Sequence, residues 1–294
     1  MQSESNTVVD PVSKTYQSQG LTLHYLDWGN ASKPPLILVH GMMDHARSWD
    51  RIARDLCSHW HVIVPDLRGH GDSEWSPDGA YLAHYYLQDF VDLIDTLGFE
   101  SVDIIAHSFG GNPTARFAAI YPHRVKRLVL VDAMGPNQSV LAQWQQKGVV
   151  ARSREWIEKR QQAGQAQRYF DSLDVAASRL TRTNPLLQPE QARHLARHGV
   201  REHEQGYCWK HDPLTGNFSP EDFAIHLSEY WQAIMAPTLM CWGPKSWTTD
   251  PAVDGSSAFF KQPQHITFEH SGHWIHHNQP EEFIAAVSRF LQSD

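Results

Sequence analysis

The chain has 294 residues, 41% of them hydrophobic, which is enough to bury a large core in one α/β domain carrying an insertion. Its formal charge of −8 argues against a phosphate-binding surface, because non-specific affinity for nucleic acid comes from clustered Lys and Arg. Met1 to Lys14 is polar, with neither a basic start nor an apolar core, and no run elsewhere is long and apolar enough to span a bilayer. A cytoplasmic protein acting on a small-molecule substrate is expected, with no nucleic-acid partner and no membrane span.

Residues up to about Pro11 read as a disordered lead-in, after which Lys14–Ser18 and Leu21–Trp28 alternate around Gln19-Gly20, a hairpin signature. Short continuous apolar runs follow at Leu36–Val39, Val62–Val64, Val102–Ala106 and Leu128–Val131, the texture of strands buried on both faces of a parallel sheet. Between them, Arg47–Cys57, Ala83–Leu97 (closed by Gly98) and Gly110–Ile120 (closed before Pro122) have helical spacing and stop signals. Right-handed crossovers between such units bring the strand C-termini to one edge.

After Met134-Gly135-Pro136 the texture changes. Gln138–Arg182 is rich in Gln, Arg and Ala at helical spacing, and no sheet strand is visible there. Helices are predicted over Pro189–His198 and from Ser219-Pro220-Glu221 to Trp231. Strand texture returns at Thr238–Trp242 and His265–Glu269, and a last helix covers Pro280–Leu291. The predicted organisation is a core built from 1–134 and 237–294, with a mostly helical cap over 135–236. Cys57, Cys208 and Cys241 are odd in number, far apart and without metal-ligand spacing, so they read as buried free thiols.

The chemistry centres on Ile104-Ile105-Ala106-His107-Ser108-Phe109-Gly110-Gly111, where an apolar strand stops at a serine and two glycines open a helix. A serine at so sharp a turn needs small residues two before and two after it, here Ala106 and Gly110. The turn holds the Ser108 hydroxyl clear of its own backbone and aims the Phe109 N–H into the same space, the geometry of a nucleophile. His40-Gly41-Met42-Met43 follows the strand Leu36–Val39 at the same edge, so that the Met42 N–H is the second donor for a developing oxyanion, while His40 is structural. Ser271-Gly272-His273-Trp274 lies between the last strand and the last helix, which makes His273 the general base and then the general acid. His273 and His277 have the i, i+4 spacing of a metal pair, but no carboxylate or cysteine completes the set, and no metal or cofactor is expected.

With these motifs, with Pro65-Asp66-Leu67-Arg68-Gly69-His70-Gly71-Asp72-Ser73 and with Gln279-Pro280-Glu281-Glu282-Phe283, the chain from Gln17 to Leu291 resembles an α/β-hydrolase of the serine-hydrolase type. The resemblance implies an eight-stranded, mostly parallel sheet flanked by helices, a helical cap between the sixth and seventh strands, no cofactor, and the chain order Ser, acid, His. It also implies that Asp66, Arg68 and His70 stabilise structure. A serine at the elbow disfavours the family's epoxide hydrolases and haloalkane dehalogenases, which use aspartate there.

One departure matters. The family usually carries its acid in a Trp-Gly-x-x-Asp stretch, but Trp242-Gly243-Pro244-Lys245-Ser246 ends in serine. Two replacements exist, Asp132 at the end of the sixth strand and Asp250 four residues past Ser246, and Asp132 is preferred because a strand end is a stiffer platform than a loop. Met43, Met134 and Trp274, together with Trp209 from the cap, are the candidate substrate-binding residues; Trp144, Trp156 and Tyr207 add to an apolar cap. The expected activity is hydrolysis of a small to medium, apolar carboxylic ester through an acyl-enzyme. Carbon–carbon bond hydrolysis by the same triad, or a binding protein that kept the fold without turnover, remain the alternatives.

Overall fold

The computed structural model describes residues 10–135, 138–162, 167–219 and 227–293. The expected lead-in lies almost wholly outside them. The chain opens with an antiparallel hairpin, β1 (Val12–Ser18) and β2 (Leu21–Asp27), turned by Gln19 and Gly20 at φ 49° and 80°. Strands β3 (Pro35–Val39), β4 (His61–Pro65), β5 (Val102–His107) and β6 (Val125–Val131) follow, with helices α1 (Asp50–Leu56), α2 (Ala83–Thr96) and α3 (Gly111–Ile120) between them. The predicted helix at Arg47 begins instead as a 3₁₀ turn, Ala46–Trp49, that leads into α1.

Between β6 and the next strand of the main sheet lie α4 (Gln138–Lys147), α5 (Val149–Gln162), α6 (Leu173–Thr183), α7 (Pro189–Gly199) and α8 (Leu227–Ala233). The predicted helix start at Pro220 falls outside the described residues. The same segment holds an antiparallel sheet of β7 (Tyr169–Phe170), β8 (Val200–His203) and β9 (Gly206–Trp209), in the order β7-β9-β8, where a mostly helical cap is predicted. Strands of two to four residues are too short to establish a period of two.

Strands β10 (Thr238–Trp242) and β11 (Pro263–Thr267) and helices α9 (Ile275–Asn278) and α10 (Pro280–Gln292) complete the chain. The main sheet has eight strands in the order β1-β2-β4-β3-β5-β6-β10-β11, antiparallel only where β2 meets β1 and β4. Alternation explains the continuous apolar runs. Ile37, Val39, Ile104, Ala106, Leu128 and Leu130 enter the core cluster that contains α2 and α3, while Leu36, Leu38, Ile105, Val129 and Val131 enter the cluster that contains α1 and α10. All three cysteines are free and buried, as their spacing predicts. No helix among the described residues is long and apolar enough to cross a membrane.

Candidate active site

Strand β5 delivers its C-terminus to a one-residue elbow. Ser108 has φ 51°, a left-handed conformation that a side chain adopts only at a cost of roughly 1–3 kcal/mol unless the surroundings impose it. The surroundings do. A Cβ at position 110 would stand 2.5 Å from the His40 carbonyl oxygen and 2.9 Å from that of Val39, so only glycine lets α3 start this close to β3. Gly41 works from the other side, where a Cβ would come within 3.0 Å of both Ser108 Cβ and His107 Nδ1. The backbone around Met42 therefore passes directly beside the nucleophile candidate.

His40 holds that loop. Its buried ring donates through Nδ1 to the Gly41 carbonyl at 2.7 Å and accepts at Nε2 from the Leu67 N–H at 3.0 Å, and burial lowers its pKa. The Leu67 loop is braced in turn by Asp66, whose carboxylate accepts from the Ala46 and Asp72 N–H groups and faces His24 Nδ1 at 2.6 Å. Burial alone would raise the Asp66 pKa, but the His24 bond and the nearby histidine charge outweigh it and hold the carboxyl well below the usual range. Arg68 is matched by Asp89 at 2.5 and 2.6 Å.

Three side chains from the ends of β5 and β6 and from the loop after β11 meet above the sheet. His273 Nε2 lies 2.9 Å from Ser108 Oγ, and His273 Nδ1 lies 2.5 Å from Asp132 Oδ2. Asp132 sits at φ 48° with its N–H bonded to the Cys241 carbonyl at 2.8 Å, which ties the acid to β10. Asp250 points elsewhere, 2.9 Å from His265 Nε2. The loop after β10 still takes part, because the Ser246 hydroxyl donates to Asp132 Oδ2 at 2.5 Å and the Thr248 hydroxyl donates to Asp132 Oδ1. Sequence reasoning missed both hydroxyls. Behind the imidazole, His107 donates through Nε2 to the His273 carbonyl at 2.9 Å, and burial drives the pKa of His107 and His276 well below 6.5, so both are neutral.

A cavity of about 250 Å³ opens over Ser108. Met42, Phe109 and Met134 line it, with Trp144, Phe218 and Tyr230 from the segment between β6 and β10. Of the four residues expected to bind substrate, Met134 is the one found there. Met43, Trp209 and Trp274 line a separate small pocket together with Leu195 and His211. The physical reason is packing: Met43 takes a left-handed backbone conformation (φ 61°) with its Cε against Gly216, and Trp274 and Trp209 pack on the apolar cluster that includes Phe170 and Leu195. Asp44, His107 and His276 place one ligating atom each within 4.8 Å of one another, and could accept a cation.

A family model described as the alpha/beta hydrolase fold matches residues 34–280. The chain belongs to the α/β-hydrolase family. Among its relatives is a serine hydrolase-like protein of Danio rerio, 28% identical over 276 residues that make up 90% of this chain and 83% of the relative. Epoxide hydrolase 3 of Mus musculus is 27% identical over 290 residues, 94% of this chain and 75% of that protein. The sn-1-specific diacylglycerol lipase ABHD11 of Mus musculus is 25% identical over 276 residues, 92% of this chain and 85% of the relative. The eight-stranded, mostly parallel sheet is the one the sequence predicts, and the protein is a hydrolase of this family.

Proposed function

We propose that this α/β-hydrolase cleaves carboxylic esters through an acyl-enzyme on Ser108. The observation that carries the reading is the unbroken relay from Ser108 Oγ through His273 to Asp132, at 2.9 and 2.5 Å. Ser108 gives its proton to His273 Nε2 as its oxygen adds to the ester carbonyl. The Met42 and Phe109 N–H groups receive the resulting oxyanion. His273 returns the proton to the departing alcohol, and a water deprotonated by His273 then releases the acid. Asp132 holds the imidazole in the tautomer that exposes a basic Nε2, and offsets the imidazolium charge.

A hydroxyl at the elbow, where epoxide-opening relatives present a carboxylate, supports acyl transfer over alkyl transfer. The diacylglycerol lipase relative acts on an ester, and the apolar lining of the cavity suits such a substrate. Residues 135–236 act as the cap, with Trp144, Phe218 and Tyr230 reaching the cavity from it. The test is kinetic. Asp132→Asn lowers kcat/KM for aryl esters by up to about 10⁴-fold, whereas Asp250→Asn, remote from His273, changes it little. Loss of activity in Asp250→Asn with Asp132→Asn active would reject the assignment.

A further inference from the structure

Among the described residues, one cationic side chain lines the cavity over Ser108, and no carboxylate among them pairs with it. Arg116 lines the cavity, yet only 4% of it is exposed. Its Nε donates to the Asn112 amide oxygen at 3.0 Å, and its Cζ lies 4.6 Å from the centroid of the Tyr230 ring. Among the described residues no carboxylate stands within ion-pair distance of it; Asp132, the acid that shares the cavity, is taken by His273, Ser246 and Thr248. The contrast with Arg68 is instructive. That guanidinium, 2% exposed, is met by both oxygens of Asp89. This fold neutralises a buried arginine where the arginine is structural, because an unpaired buried charge is costly. At Arg116 the described residues supply a neutral amide and a ring face, which orient the guanidinium and leave its charge available.

Position completes the argument. Ser108, Asn112 and Arg116 recur every four residues, a spacing that puts Asn112 and Arg116 on one face of α3, and all three line the cavity. Asn112 lies in the first turn of α3, directly after the elbow that carries Ser108. The bond to Asn112, and the tilt of helical side chains toward the N-terminus, draw the guanidinium back to that level. A planar fork in the same cavity as the nucleophile, at the first turn of α3, fits a carboxylate a few bonds from the scissile carbonyl.

We infer that Arg116 receives an anionic group of the substrate, so that the ester cleaved by this chain carries a carboxylate. The inference rests on the ester reading above and narrows it to a class. The two sources of the carboxylate, acyl part and alcohol part, are separated by two substrate series. One compares p-nitrophenyl hemiesters of succinic, glutaric and adipic acids with p-nitrophenyl esters of neutral acyl groups of equal length. The other compares the acetate ester of 4-hydroxybutyrate with butyl acetate. One series is expected to show a kcat/KM preference of about 30-fold for the charged member, the scale of one charge-assisted pair. In Arg116→Gln that ratio collapses, mainly through KM, and Arg116→Lys retains part of it. A binding measurement on the unaltered protein needs neither variant nor turnover: adipate should raise Tm more than 1,6-hexanediol at equal concentration. Turnover of neutral esters with no preference in either series, or a preference that survives in Arg116→Gln, overturns the inference and leaves the ester reading standing. If no ester of either series is turned over while adipate still raises Tm selectively, the ester reading fails and the anion site stands.

Discussion

The Ser246 hydroxyl donates to the same Asp132 oxygen that faces His273 Nδ1, each at 2.5 Å. The strand end that carries the acid and the loop where the family usually carries it thus converge on one point. Where the family usually supplies a carboxylate, the loop here supplies hydroxyl donors to Asp132. A carboxylate at 246 would reach the space that Asp132 fills. In an Asp132→Ala background, which vacates that space, Ser246→Asp is therefore expected to restore ester turnover on the order of tenfold over Asp132→Ala alone. Failure of the double variant to exceed the single one, with both folded by circular dichroism, would show that position 246 cannot substitute.

The elbow tolerates no side chain at position 110, where a Cβ would meet the His40 carbonyl oxygen at 2.5 Å. Backbone cannot swing aside as a flexible side chain can. Gly110→Ala is expected to cost about 1–3 kcal/mol, read as a fall in the urea midpoint at unchanged slope. A neutral result would mean that β3 and α3 separate easily.

Trp144 lines the cavity over Ser108, and Trp209 does not. Trp144→Ala should shift the acyl-length optimum toward longer chains across an aryl ester series. Trp209→Ala should leave that optimum in place and lower Tm, because its ring meets Phe170 edge-on at a centroid distance of 5.0 Å. A shifted optimum in Trp209→Ala alone would reverse the assignment of the two pockets.

Much of this arrangement was legible in the sequence because it is local. A strand-serine-glycine junction, a His-Gly loop and a histidine between the last strand and helix are each read within a few residues, and crossover topology brings them to one edge. Asp132 was legible as a strand end, and its side chain meets His273 while Asp250 meets His265. The cavity lining was not legible. Arg116, Tyr230 and Trp247 come from three elements and share no local pattern, and proximity in sequence misled for Met43 and Trp274, whose side chains leave the backbone on the far side of the site. The β7-β9-β8 sheet escaped because four residues cannot declare a period.

Burial lowers His277 from its ordinary 6.5 to about 3, with His194 adding to the shift, and burial likewise lowers His45 to about 3. Between these limits the unfolded chain binds protons that the folded chain refuses, so stability is fully present above about pH 6.5 and falls as pH drops toward 3. Asp44, raised by burial to about 7, acts in the opposite sense, losing stability as pH rises through that value. The difference between the wild type and His277→Gln removes the Asp44 contribution. Urea midpoints from pH 7.5 down to 4.5 should fall less steeply for His277→Gln. Parallel curves would mean that His277 takes up its proton in the folded state.

The account stands on Ser108 as the atom that becomes acylated. A fluorophosphonate probe, followed by peptide mass spectrometry, reads that atom directly. One adduct is expected, on the peptide containing Ser108, absent from Ser108→Ala and slowed in Asp132→Asn. Stoichiometric labelling that persists in Ser108→Ala, accompanied by undiminished ester turnover, would contradict it.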